Sequence, residues 1–306
     1  MDSLHTSPAQ DSRLAVITGT GGLGYQTAIA LARSGMRVIL AGRNPAKGAE
    51  AIDALRLAVP GADVAFEPLD LASLQSVSAF AARLRQNGEP IAVLVNNAGI
   101  MSPPSRETTR EGHEVQLGVN HLGHFALTAG LLPLLRGGGR VVSVTSLAQH
   151  YARLNLDTLR DEAAHHGGRA YCDAKLLQAL FAVELQCRSD RSGWGITSTA
   201  AHPGFATTNL FQGGQGKASL RSFISTRVIA PLIGHSAEAG ALPIIHAATS
   251  SDVIGGRLYG PKGFKEMKGP PGECAFAKPV HDAGLREKAW AISEEMTCLR
   301  FDGAAT

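Results

Sequence analysis

The chain has 306 residues, 44% of them hydrophobic and 18% charged, enough for one large α/β domain or two small ones. A formal net charge of +3, with Lys and Arg scattered along the chain, provides no basic stripe for nucleic acid. The 4 cysteines are spaced far apart with no C-x-x-C pair, so neither a zinc site nor a disulfide framework is expected, and reduced thiols suit a cytoplasmic protein.

Residues 1–12 are polar, contain a proline and lack an apolar run, so they read as a tail rather than a signal peptide or an anchor. Leu14–Thr18 is a short apolar strand that ends in a glycine cluster, and a helix follows from about Tyr25 to Ser34. Strands are then predicted at Arg37–Ala41, Val64–Leu69, Ile91–Val95, Arg140–Thr145 and Gly195–Ala200. Helices are predicted at Lys47–Val59, Ser73–Gln86, Glu114–Leu135 and Ala170–Arg188. Apolar strands alternating with helices imply an α/β fold: a doubly wound parallel sheet buried on both faces by helices. The stretch Phe223–Ile233 is broken by Arg227 and Pro231 and is too short to span a bilayer. The Gly- and Pro-rich tail from Gly255 ends in a helix near Leu285–Met296, and its apolar content packs it on the same domain, taken as 13–306.

The loop Thr18-Gly-Thr-Gly-Gly-Leu-Gly24 joins the first strand to the first helix. There, backbone N–H groups and the helix N-terminus can meet a diphosphate, with Gly19, Gly21 and Gly24 keeping side chains out of the approach and Gly22 and Leu23 beside them. The second strand ends Ala41-Gly-Arg43, with no acid to hold a ribose 2′-hydroxyl and with Lys47 close behind. The Arg43 fork suits a 2′-phosphate, which favours NADP(H) and leaves NAD(H) open; the other reading of Arg43 is a solvated surface cation. Asp70, followed by Leu71, ends the third strand, where its carboxylate either meets an adenine amino group or caps the next helix.

Tyr171 and Lys175 stand at i and i+4 on one helix face. A tyrosine near its ordinary pKa of about 10 is a poor acid–base group at neutrality. A neighbouring ammonium and a cationic cofactor ring would favour the phenolate.

With these pieces in order, the chain resembles a short-chain dehydrogenase/reductase over nearly its whole length. The matching pieces are the loop at 18–24, Asp70, Asn96-Asn-Ala-Gly99, Asn120, Ser146, Tyr171 with Lys175, and Pro203-Gly204. Val119-Asn-His-Leu-Gly-His-Phe125, the long spacer from Ser146 to Tyr171 and Ala201-His-Pro-Gly204 resemble the retinol-dehydrogenase-like and protochlorophyllide-reductase-like branch. The resemblance implies a single-domain Rossmann fold. Ser146 would hold the substrate oxygen, in preference to Thr145, and Tyr171 would pass the proton. Lys175 would hold the nicotinamide ribose, and Asn120 a water leading to solvent. Asn96, Asn97, Ala98, Gly99, Pro203, Gly204 and Thr207 would line the cofactor. Residues from about 205 to 236 would form a substrate lid, whose apolar side chains suit a small hydrophobic carbonyl or alcohol. Pairing of copies through the helices 114–135 and 170–188 is a further implication.

The resemblance is incomplete at two places. The family's loop reads T-G-x-x-x-G-x-G, and this one is a residue shorter, which bears on cofactor affinity and preference. Ala174 stands where the family often has Ser. A nicotinamide-binding sensor without turnover is the alternative function. His121 and His124 lack a Cys or carboxylate to complete a metal site and read as packing or hydrogen-bonding histidines. The expected activity is NADP(H)-dependent interconversion of an aldehyde or ketone and its alcohol.

Overall fold

Every residue of Leu14–Thr18 is buried, and successive side chains part to opposite faces. Leu14 and Val16 enter one apolar core, Ala15 and Ile17 a second. The same parting recurs at Ile39 and Ala41 against Val38 and Leu40, and at Val141 against Val142. A strand buried on both sides needs helices on both sides, which is why these runs read as continuous apolar stretches. The computed structural model describes residues 13–103, 105–160, 167–204 and 236–301.

Among the described residues the strands are β1 Leu14–Thr18, β2 Arg37–Gly42, β3 Val64–Pro68, β4 Ile91–Asn96, β5 Arg140–Val144, β6 Thr197–Ala201, β7 Leu258–Pro261 and β8 Pro271–Cys274. They form one sheet in the order β3-β2-β1-β4-β5-β6-β7-β8. Neighbours from β3 to β7 pair in parallel, and β8 returns antiparallel to β7. The sheet is therefore mostly parallel, with an antiparallel edge that the sequence reading lacked. β7 and the edge strand β8 both contain Gly and Pro, a composition that is unrecognisable as strand from propensity.

The helices are α1 Gly22–Arg33, α2 Pro45–Ala58, α3 Leu74–Asn87, the single turn α4 Val115–Leu117, α5 Gly123–Leu135, α6 Gly167–Ser192, α7 Ala237–Thr249 and α8 Ala283–Thr297. Between α4 and α5 the chain makes a wide π-helical turn, Gly118–Leu122, so the expected continuous helix over 114–135 is interrupted. Asn44, Ser73, Ser236 and Asp282 each cap the N-terminus of a helix through the side chain. Ser73, not Asp70, caps α3.

The α5/α6 face carries an aromatic cluster. Phe125 and Phe181 meet Trp290 of α8 with ring centroids 5.0 and 5.7 Å apart, and Phe301 lies 4.4 Å from Trp290. Arg188 stands 4.3 Å over the indole and pairs with buried Glu184. The surface expected to receive a second copy is thus overlaid, at these aromatics, by the chain's own last helix.

Candidate active site

The strand order reverses between β1 and β4, and a doubly wound sheet opens its ligand crevice at such a point, beyond the carboxyl ends of the strands. Two loops border it. After β1, Gly19 (φ +95°) and Gly22 (φ +54°) take conformations that disfavour other residues. After β4 come Asn97, Ala98 and Gly99.

The loop glycines divide the work. A Cβ on Gly19 would stand 2.9 Å from Asn97 Nδ2, and one on Gly24 only 2.6 Å from it. Both therefore make room for Asn97, which donates from Nδ2 to the Thr18 carbonyl at 2.8 Å. Gly21 faces open space, and it heads α1 without a side-chain cap. Gly19 and Gly24 thus also serve the packing of the protein against itself, and Gly19 lines the crevice as well.

A cavity of about 420 Å³ lies beyond β4 and β5, lined by Leu23, Asn97, Gly99, Ser146, Tyr171, Lys175, Pro203 and Gly204 among others. Ser146 heads a short 3₁₀ turn, Leu147–Tyr151, and its Oγ accepts the Ala148 N–H at 3.2 Å. The Ser146 side chain also hydrogen-bonds Tyr171. Thr145 is committed elsewhere: its hydroxyl donates to the Lys175 carbonyl at 2.7 Å, so Ser146 is the hydroxyl that meets Tyr171. Tyr171 and Lys175 come from α6, one turn apart, with Nζ 5.6 Å from the phenol ring centre.

Burial sets both charges. It pushes the Tyr171 phenol up to about 12, against the smaller opposing effect of the Ser146 hydrogen bond. It brings Lys175 down to about 7. The expected lowering of the tyrosine by the lysine is therefore not seen in this structure, where burial dominates. Lys175 Nζ donates to the Val144 carbonyl at 2.9 Å and to Gln178 Oε1 at 2.8 Å, a buried partner that sequence spacing did not flag.

A stability consequence follows from Lys175. Its folded value of about 7 lies below its ordinary 10.5, so between the two the unfolded chain holds a proton that the folded chain lacks. Stability then rises with pH across that window. Lys175→Met should stabilise the cofactor-free protein most at and below pH 7, with the advantage shrinking toward pH 10.5. Urea midpoints measured across this range would reveal it, and a gap that does not change with pH would contradict it.

Asn120 sits in the π-turn, fully buried. Its Oδ1 accepts the Ile100 N–H at 2.8 Å and its Nδ2 donates to the Ile100 carbonyl at 2.9 Å. Its backbone carbonyl faces His124 Nδ1 at 3.0 Å, and His124 Nε2 faces Thr18 Oγ1 at 2.9 Å. Burial holds His124 down to about 4, so the ring is neutral. Nδ1 must donate to the carbonyl, and Nε2 then accepts the Thr18 hydroxyl proton. Thr18 Oγ1 in turn accepts the N–H groups of Asn97 and Ala98, both at 2.9 Å. One imidazole thus ties the π-turn to the ends of β1 and β4. His121 is also buried and neutral, with Nε2 2.8 Å from Ser293 Oγ.

A second cavity of about 300 Å³ continues past Gly99, lined by Gly19, Arg43, Lys47, Asp70, Leu71 and Ala98 among others. Gly99 lines both cavities, so the two adjoin there. Asp70 Oδ1 accepts the Ala72 N–H at 3.0 Å, which orients the carboxylate at the crevice wall. Thr207 and the expected lid, apart from Ser236, lie outside the described residues.

The sequence profile of the short chain dehydrogenase family matches residues 13–216. The chain belongs to the short-chain dehydrogenase family. It is 38% identical over 288 residues to polyprenol dehydrogenase of Mus musculus, covering 91% of this chain and 84% of that protein. It is 37% identical over 293 residues to human retinol dehydrogenase 12, covering 95% and 88%. A solved structure of an uncharacterized protein from Mycobacterium paratuberculosis superposes with a TM-score of 0.77 at 35% identity over 94% of each chain. These relatives place this short-chain dehydrogenase in the retinol-dehydrogenase-like branch, as an oxidoreductase acting on CH–OH groups of a family that binds NAD(P). No helix among the described residues is long and apolar enough to cross a membrane.

Proposed function

We propose that this short-chain dehydrogenase interconverts a hydrophobic aldehyde or ketone and its alcohol, with NADP(H) as the hydride carrier. The observation that carries this reading is the convergence of Ser146, Tyr171 and Lys175 on one mostly apolar cavity that adjoins the Arg43-lined one at Gly99. The residues present fit a dinucleotide: an uncapped helix N-terminus behind Gly21, and a two-part crevice joined at Gly99. Bound there, the cofactor supplies or takes up a hydride.

The protein's own groups supply the rest. Ser146 donates a hydrogen bond to the substrate oxygen where charge develops, and Tyr171 gives that oxygen its phenolic proton or removes it in the reverse direction. Lys175 would hold the ribose hydroxyls, and as an ammonium it would draw Tyr171 down from about 12. Asn120, anchored to Ile100, keeps one further donor and acceptor for a water on the path from Lys175 to solvent. Leu23, Met101, Leu147, Ala148 and Tyr151 give the substrate side of the cavity its apolar character.

Relatives named for polyprenol and retinol direct the first assays to isoprenoid alcohols and their aldehydes, followed by absorbance of the reduced cofactor. A panel that binds NADPH yet never changes its oxidation state would favour the sensor reading instead. Arg43 and Lys47 support the 2′-phosphate preference. Arg43→Ala should weaken NADPH by about 10- to 100-fold, the worth of a charge-assisted contact, and leave NADH nearly untouched. Equal losses for both nucleotides in a fluorescence titration would remove the assignment.

A further inference from the structure

Behind the Pro203–Gly204 bend, which walls the catalytic cavity, lies a polar cluster to which the reaction assigns no role. His202 follows β6 and is wholly buried. Its Nδ1 accepts the Gly204 N–H at 3.2 Å. Its Nε2 faces Glu266 Oε2 at 3.2 Å, in a bent contact. The Cys274 thiol hydrogen-bonds the same carboxyl. Gly260 of β7 gives the ring its place, since a Cβ there would stand 2.0 Å from Nε2.

Ligand atoms of His202, Glu266 and Cys274 lie within 4.8 Å of one another, a spacing that could suggest a cation. The Gly204 hydrogen bond decides otherwise. A neutral imidazole carries one proton, and an Nδ1 that accepts must leave it on Nε2. That nitrogen then offers a donor toward Glu266 and no lone pair for a metal. The carboxyl of Glu266 is in turn held below its ordinary range, first by its hydrogen bond with His202.

The bend and the Glu266 turn also touch directly. Gly204 has φ +69°, and a Cβ there would meet the Met267 carbonyl at 2.4 Å and the Glu266 carbonyl at 2.9 Å. Lys265 and Glu266 both hold positive φ, +47° and +56°. Such conformations persist where the surroundings over-determine them.

We propose that Glu266 is a positioning residue: it orients His202, which holds the Gly204 N–H and so sets the bend against which the nicotinamide half of the cofactor packs. This rests on the nicotinamide reading given above. Its action runs through the close Nε2–Glu266 contact and the Gly204 hydrogen bond, and requires an acceptor at position 266 rather than a negative charge as such.

The test uses the full chain, with Glu266→Ala, Glu266→Gln and Glu266→Asp. All three keep a Cβ, so the backbone strain at φ +56° is common to them. Two quantities are read: exchange protection of the Gly204 amide by NMR without cofactor, and affinity for NADPH and NADH by fluorescence. Glu266→Ala should lose the protection and weaken both nucleotides about tenfold, as expected for one charge-assisted hydrogen bond. Glu266→Gln, which keeps an acceptor oxygen, should recover most of both. Glu266→Asp, one carbon shorter, should fall between, and it carries the test together with Gln if the alanine variant fails to fold. Unchanged protection in Ala, equal losses in Ala and Gln, or lost protection with unaltered affinity would each overturn the proposal. A wild-type protein that binds neither nucleotide, while Gly204 protection still follows residue 266, would overturn the cofactor reading and this inference with it.

Discussion

Tyr171→Phe should lower kcat by about 10²- to 10⁴-fold on any substrate the wild-type protein turns over, the range that a positioned acid–base group contributes. The change removes one oxygen and keeps the ring, so the cavity wall of Leu23, Val144 and Lys175 stays in place. NADPH affinity and the melting midpoint should therefore move little. Full turnover by the variant would refute the proton-transfer role. The pH profile supplies a second check. In the cofactor-free protein the phenol stands at about 12 and the lysine at about 7. Adding a cationic nicotinamide ring and recruiting Lys175 as an ammonium should draw the tyrosine downward, so its ionisation, followed by ultraviolet difference spectra, should shift to lower pH on saturation with NADP⁺.

Trp290→Ala should destabilise the protein by about 3–5 kcal/mol, the usual cost of deleting a large aromatic from a packed core. The indole is 3% exposed and touches Phe125, Phe181 and Phe301, with Arg188 above it. A melting midpoint lower by roughly 5–10 °C would correspond to that cost in a chain of this size. The loss would also loosen α8 from α5 and α6 and bare an apolar face. The variant should accordingly sediment as larger species at concentrations where the wild type does not. A midpoint within a degree or two of wild type would mean that the cluster closes over the gap.

The central strands and their helices were legible because burial on both faces leaves a pattern that propensity alone can follow. Leu14–Thr18 and Ile91–Val95 are such runs, and their boundaries fall within a residue of the observed ones. The site residues were legible through order and spacing rather than through any one motif. What escaped was set by distant partners. Leu258–Pro261 becomes a strand on the edge that β6 offers, and Pro271–Cys274 on the edge that β7 offers in turn, against the preference of their own Gly and Pro residues. Ala237–Thr249 carries Pro243 inside a helix and sits next to the expected lid, which hid it. His124 is an ordinary residue in sequence, and only folding brings it to Thr18; Gln178, three residues after Lys175 on one helix, was within reach of the spacing. The Gly loop shows the converse: its pattern was legible, but the packing of Gly19 and Gly24 around Asn97 was not.

The wide turn at Gly118–Leu122 has a consequence for how this chain tolerates change. A π-turn holds one residue more than an α-turn would, and the helices on either side continue undisturbed. Losing a single residue there could be absorbed by tightening the turn, with α5 still beneath the sheet. The Asn120 side chain would then rotate away from Ile100, and its carbonyl away from His124. The extra residue thus works as a spacer between two demands, the packing register of a long helix and the aim of one amide. Insertions and deletions at this point should be read in that light when homologous chains are aligned, because they alter aim before they alter shape.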